Sequence, residues 1–79
     1  MSDEDRPAYL ILVCEGRRCV PVLDLEAAVE TEADAVAMLV EFAARLRTLR
    51  ALGWAVLVEE QSGRMIASER VGPVLRRAP

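Results

Sequence analysis

The chain has 79 residues, a formal net charge of −3 and a hydrophobic content of 53%. A chain of this length makes one domain and buries only about 60–65% of its extended surface, so its high apolar content predicts self-association or a partner that covers the remainder. It contains no histidine, so the usual near-neutral acid–base group and metal ligand is missing.

The N-terminal residues 1–7 are acidic and polar and are predicted to form a flexible tail. The apolar run that follows, Ala8 to Cys14, has only seven residues. A secretory signal needs a basic start and a longer apolar core, and a membrane span needs about 20 apolar residues. We therefore expect a cytoplasmic protein with no membrane contact and with reduced cysteines.

The first two predicted strands form a hairpin. Ala8 to Cys14 is apolar on both of its faces, which is typical of a central strand in a sheet covered on both sides. The segment EGRR predicts a turn, in which Gly16 supplies the backbone freedom. Cys19 to Leu23 is the second strand, and Pro21 places it at an edge because proline cannot donate a ladder hydrogen bond.

A long helix follows. Thr31 and Asp34 resemble a capping box, the apolar spacing predicts a helix from about Glu32 to Leu52, and Gly53 ends it. The residues predicted to face the sheet are Leu39, Phe42, Leu46 and Leu49.

The remaining pattern completes a four-stranded sheet. Trp54 to Glu59 is the third strand, QSG is a hairpin signal, and Arg64 to Val71 is a polar fourth strand suited to an edge. Residues 72–79 contain two prolines and are predicted to be a flexible tail. The fold class is therefore α+β: a ββαββ unit spanning residues 1–79, with an antiparallel sheet in the order 2-1-3-4 and one long helix on one face.

One helix covers only one face of such a sheet. Because strand one is apolar on both faces and strand three nearly so, we expect a homodimer formed through the uncovered face or by joined edges, or another protein bound there. Leu57, which points opposite to its two strand neighbours, is the candidate residue for that surface. Three helix arginines, Arg45, Arg47 and Arg50, are the candidate charged contacts.

The charges are divided unevenly along the chain. Residues 1–34 carry nine acids and three arginines, whereas residues 35–79 carry four acids and seven arginines. The two halves are therefore expected to attract each other within one fold or between copies, although a solvated surface is the more ordinary reading.

The best candidate for chemistry is the pair Cys14 and Cys19 in CEGRRC. The intervening turn would place the two side chains across a hairpin, at a separation suited to a disulfide, and two adjacent arginines would favour the thiolate. The more ordinary reading is that both cysteines fill the sheet as small apolar residues, and the alternative is a redox-responsive pair. No histidine accompanies them, so the sequence predicts no metal site.

No pattern in the chain predicts catalysis or a cofactor. Ser62 and Ser68 lack a histidine or lysine to activate them, and no glycine-rich phosphate loop is present. The negative net charge makes nucleic acid an unlikely partner, although an accessory role through the helix arginines is kept as an alternative.

The segment GWAVLVEEQSGRMI after a helix resembles many small bacterial and phage proteins in which a strand hairpin follows a helix. The leading hypothesis is accordingly a small, acidic, non-catalytic protein–protein interaction module. Its size and charge fit a regulator or inhibitor encoded by a phage or other mobile element.

Overall fold

The computed structural model describes residues 8–25 and 29–73. Its elements in chain order are β1 (Tyr9–Glu15), β2 (Arg18–Asp24), α1 (Glu32–Thr48), β3 (Trp54–Glu59) and β4 (Met65–Arg70). All neighbouring strands are antiparallel, in the order β2-β1-β3-β4. The predicted α+β fold, with its ββαββ element order and its strand order, is confirmed.

The predicted tails fall largely outside the described residues. Residues 1–7 and 74–79 are not described. Within the described part, the chain remains attached to the fold past β4: Val71 is buried, and the backbone N–H groups of Val71 and Gly72 donate to the carbonyl oxygen of Gly53 at 2.9 and 3.3 Å.

The hairpin between β1 and β2 closes through a two-residue turn, Gly16 and Arg17, between the paired residues Glu15 and Arg18. Gly16 is the first of the two turn residues and has a φ of 62°, whereas Arg17 is not among the residues with positive φ. A type II′ hairpin turn has positive φ at its first central residue alone, and glycine adopts this conformation without strain. The predicted turn is therefore confirmed together with the role of its glycine.

Each edge strand carries one bulge. Ile11 pairs with Leu23 and Leu12 with Pro21, so Val22 is an extra residue in β2. Ile66 is the corresponding extra residue in β4. Bulges of this kind bend and twist an edge strand away from regular pairing.

The helix begins where the sequence predicts. The Thr31 hydroxyl accepts a hydrogen bond from the backbone N–H of Asp34 at 3.1 Å, and Thr31 has extended backbone angles. A capping side chain of this type satisfies one of the helix's unpaired N–H groups. Two acidic residues in the first turn, Glu32 and Asp34, complement the helix dipole.

The helix ends earlier than predicted, at Thr48 instead of Leu52. The backbone N–H of Ala51 donates to the Leu46 carbonyl and that of Arg50 to the Arg47 carbonyl, both at 3.0 Å. This is the Schellman pattern, in which the residue after the cap is left-handed. Here that residue is Arg50, with a φ of 60°. The prediction that Gly53 terminates the helix is wrong.

Gly53 serves a different purpose. Its φ is 86°, and a Cβ at this position would collide with the backbone carbonyl oxygen of Cys14. The missing side chain therefore allows the loop after the helix to pass directly against the end of β1 and enter β3 beside it.

The core lies between α1 and the sheet, with the helix packed over β3 and β4. The helix buries Ala35, Leu39 and Ala43, spaced four residues apart, and the two alanines let its backbone approach the sheet. Phe42 and Leu46, which were also predicted to face the sheet, pack against this core and are partly buried. The prediction for Leu49 is wrong: it lies beyond the last helical turn and is 75% exposed.

Candidate functional site: the uncovered face of the sheet

The side of the sheet opposite the helix presents three cross-strand rows, each with one residue from every strand. We call this set the uncovered face, because no helix or strand within residues 8–25 and 29–73 packs over it. From β2 to β4, the rows are Cys19, Cys14, Trp54 and Arg70; then Pro21, Leu12, Val56 and Ser68; then Asp24, Leu10, Val58 and Met65.

Apolar residues fill most of the uncovered face. Only Asp24, Ser68 and Arg70 are polar, and all three lie on the edge strands. The other residues that the two central strands place on this face are half-buried by their neighbours, whereas Trp54 on β3 is 40% exposed and Met65 on β4 is 62% exposed. With strands about 4.8 Å apart and a rise of about 3.4 Å per residue, the rows span roughly 14 Å by 14 Å between outer Cα atoms. The result is a contiguous apolar surface.

Leu57 does not belong to this surface. Its solvent exposure is 0%, and it pairs with Ile11 and Ala67 on the side that the helix covers. Its assignment to an interaction surface is therefore wrong. The helix packs on the face that carries both Leu57 and the smaller Ala55. The residues that do face outward from β3 are Trp54, Val56 and Val58, which sequence reasoning had grouped on one face without knowing which face would be covered.

The two cysteines lie in the first row of the uncovered face. Cys14 and Cys19 are directly opposite each other, with Cα atoms 4.0 Å apart, and their sulfur atoms form a disulfide. Cys14 is half-buried and Cys19 exposed, so they do not act as core fillers. Trp54 is the direct neighbour of Cys14 on β3, and the disulfide and the indole therefore occupy one row. The expectation of reduced cysteines does not describe this structure.

Arg45 and Arg47 lie in the last turn of α1, and Arg50 follows it, so all three belong to the helix and not to the strands of the uncovered face. The Arg47 guanidinium donates to the Arg70 carbonyl at 2.9 Å and pairs with Glu69 at 3.4 Å, which ties the helix to β4. Arg50 occupies the left-handed position after the helix. Arg45 is exposed. Only structural roles are thus visible for Arg47 and Arg50.

An ion pair between Arg64 and Glu32 joins the basic and acidic halves of the chain. Arg64, at the start of the β4 region, donates to Glu32 in the first turn of the helix at 3.1 Å. Both side chains are more than half exposed, so the pair contributes little to stability. The attraction expected between the two halves therefore operates within the fold at this position.

The helix side of the β1–β2 hairpin also exposes apolar groups. Because α1 packs over β3 and β4, an open groove of about 410 Å³ remains beside Val13, Val20 and Val22, with Glu15 and Arg18 at its end. Val20 and Val22 are each 45% exposed. Glu15 and Arg18, two side chains of opposite charge, border this groove.

Residues 8–25 and 29–73 contain no group of three or more histidine, cysteine, aspartate or glutamate residues arranged to hold a metal ion. Over the same described ranges, no helix combines the length and the apolar character that crossing a membrane requires. Comparison with protein-family models, with curated proteins and with solved structures finds no match to this chain.

Proposed function

We propose that this protein is a small, acidic, non-catalytic protein–protein interaction module: a cytoplasmic regulator or inhibitor that acts as a homodimer. The observation that carries the proposal is the uncovered face, with its apolar centre and its polar residues confined to the edge strands. Exposed apolar patches rimmed by polar residues mark interaction sites, and an apolar centre within a polar rim is the usual anatomy of an interface.

The edges of the sheet are less suited to dimer formation than its face. The Cα atoms of Cys14 and Cys19 are 4.0 Å apart, which is typical of a pair that exchanges no backbone hydrogen bonds. Such pairs recur every second residue, so Pro21 and Leu12 form another, and the nitrogen of Pro21 points to the outer edge of β2. Proline supplies no donor there, and the adjacent bulge at Val22 distorts the edge further. The bulge at Ile66 affects the opposite edge in the same way. These features favour contact through the face over strand addition.

The first experiment places a charge at the centre of the uncovered face. Val56 lies in the middle row on a central strand, so Val56→Asp would bury a carboxylate in the dimer interface. Desolvating an unpaired charge costs several kcal/mol, which exceeds what a small interface can offset. We expect the parent protein to be dimeric at micromolar concentration and Val56→Asp to be monomeric, as measured by sedimentation velocity.

The matched control is Val40→Asp, the same substitution on the outer side of the helix, where the valine is 46% exposed. This control should retain the parent's dimer, and circular dichroism should show that both variants are folded. A parent protein that sediments as a monodisperse species of 8.7 kDa would contradict the proposal. So would a Val56→Asp variant that remains dimeric.

A second candidate function, a redox-responsive module, is favoured by one observation: the Cys14–Cys19 disulfide lies within the uncovered face beside Trp54. A cellular dithiol can reduce such a bond by exchange. The protein disulfide gains two electrons and two protons and becomes two thiols, while the dithiol loses both and becomes a disulfide. Reduction would remove the covalent link across the first row of the face and thereby alter the surface presented to a partner.

This second candidate is tested by measuring self-association and Trp54 fluorescence with and without dithiothreitol. Redox control predicts a change in both for the parent and in neither for a Cys14→Ala, Cys19→Ala double variant. An equal dimer affinity in oxidised and reduced parent protein, with thiol titration proving complete reduction, would eliminate the redox function and leave the interaction module unaffected.

A further inference from the structure

Two opposite corners of the uncovered face are apolar, and apolar residues connect them along a diagonal. They extend from Cys19, on β2 in the first row, through the central strands to Met65, on β4 in the third row. The other two corners are charged and of opposite sign: Asp24 lies on β2 in the third row, and Arg70 on β4 in the first row. The face therefore has an apolar diagonal and a charged diagonal.

From this arrangement we infer that the occupant of the face is a second copy of the chain, related by a two-fold axis that runs along the apolar diagonal from Cys19 to Met65. The inference rests on the proposed function and specifies its partner and geometry. In a symmetric dimer the same patch serves both copies, so the axis must map the patch onto itself.

Axes parallel or perpendicular to the strands bring unlike corners of the patch together. An axis along the strands would place Met65 of one copy over Asp24 of the other, and an axis across the strands would place it over Arg70. Both arrangements set an apolar corner against a charged one, so neither brings Asp24 or Arg70 to an opposite charge in the other copy. An axis along either diagonal instead superposes the apolar diagonal on itself.

Charge decides between the two diagonals. An axis along the charged diagonal would place Asp24 over Asp24 and Arg70 over Arg70, which is repulsive at both corners. An axis along the apolar diagonal places Asp24 of each copy over Arg70 of the other, which is attractive at both corners. The strands of the two sheets then cross at nearly a right angle, one of the two arrangements in which sheets pack face to face.

The existing contacts of the two charged residues are compatible with this arrangement. Arg70 donates from Nε to the Gly72 carbonyl at 3.3 Å, and Asp24 also has an interaction within its own chain. A guanidinium has five N–H donors and a carboxylate about four acceptor sites, so each can add the attraction across the dimer to the contacts it already makes.

Two charge reversals test the axis. Asp24→Arg alone and Arg70→Asp alone each set like charges against each other at both corners, so each should weaken self-association about tenfold. An equimolar mixture of the two variants should recover parent-like association, because every corner of the mixed dimer again joins an acidic and a basic group. Sedimentation equilibrium of each variant and of the mixture measures this.

The control pair is Arg17→Asp and Glu60→Arg, which make the same changes of charge at exposed turn positions. Neither control nor their mixture should differ from the parent by more than about twofold. A monomeric parent would defeat the proposed function itself. A dimeric parent whose mixed variants associate no better than either variant alone would overturn only the axis.

A second measurement reads the axis directly. Met65 lies on the proposed axis, so Met65→Cys should bring two thiols together across the dimer, whereas Ser68→Cys, one row away and off the axis, should not. Diamide converts a thiol pair to a disulfide by accepting two hydrogen atoms. A covalent dimer with Met65→Cys and none with Ser68→Cys supports the axis, and the opposite pattern excludes it.

Discussion

The two faces of the sheet are built from the same strands but differ in what covers them. On the helix side, Ile11, Ala55 and Leu57 have a solvent exposure of 0%. One residue away along the same strands, Leu12 and Val56 point to the opposite face and are only half-buried. The two faces have similar hydrophobicity, so the difference between them does not come from composition.

The difference comes from where the helix packs. The helix packs through Ala35 and Ala43 against the face that carries Ala55, and these small side chains let the two backbones come close. Trp54 on the opposite face would hold a helix further away. The covered face also buries large side chains, Tyr9, Ile11 and Leu57, whereas the large exposed residues Trp54 and Met65 mark the face available to a partner.

The largest contrast between the faces should come from the same substitution at adjacent residues. Leu57→Asp places an unpaired charge in the core and should unfold the domain, because desolvating such a charge costs several kcal/mol and a domain of this size has little more stability than that. Val56→Asp should retain a cooperative thermal transition. Differential scanning calorimetry of the two variants decides it, and similar melting of both would mean that the helix does not seal the Leu57 side.

A smaller difference is expected between a fully buried and a partly buried residue of the helix. Leu39 is 1% exposed, whereas Phe42 lies at the margin of the core and is only partly buried. Truncation of a buried leucine to alanine costs about 2–5 kcal/mol. We therefore expect Leu39→Ala to destabilise the protein more than Phe42→Ala, although phenylalanine is the larger side chain. Urea unfolding measures both, and the reverse order would show that Phe42 is the principal contact of the helix.

The smallest expected effect is a gain of stability at the end of the helix. Arg50 adopts a φ of 60°, which glycine tolerates without the penalty of about 1–2 kcal/mol that other residues bear. Arg50→Gly should raise the free energy of unfolding by at most about 1 kcal/mol, because the greater loss of chain entropy by glycine on folding offsets part of the relieved strain. The neighbouring Leu49→Gly, at a position with negative φ, is the control and should not stabilise. A lower melting temperature for Arg50→Gly would point to a contact of the guanidinium that outweighs the backbone strain.

Local sequence patterns were sufficient to predict most of the architecture. The alternation in β1 and β3, the turn at Gly16, the cap at Thr31 and the edge position of Pro21 all follow from short-range rules, because each depends on a residue's own conformational preferences and its immediate neighbours. Together they determined the ββαββ order and the strand order 2-1-3-4, and they indicated that one apolar face would remain uncovered.

Only the tertiary structure decided which face that is. Alternation assigned Leu57 and Val56 to opposite sides, but the choice of side depends on how closely a helix elsewhere in the chain can approach, which no local pattern encodes. The same limit explains the end of the helix: apolar spacing continued to Leu52, whereas the Schellman hydrogen bonds to Leu46 and Arg47 stopped it at Thr48 and left Gly53 to the contact with Cys14. The opposite charges at the corners of the face likewise depend on strand register across the whole sheet, whereas the pairing of Cys14 with Cys19 follows from the short turn between them.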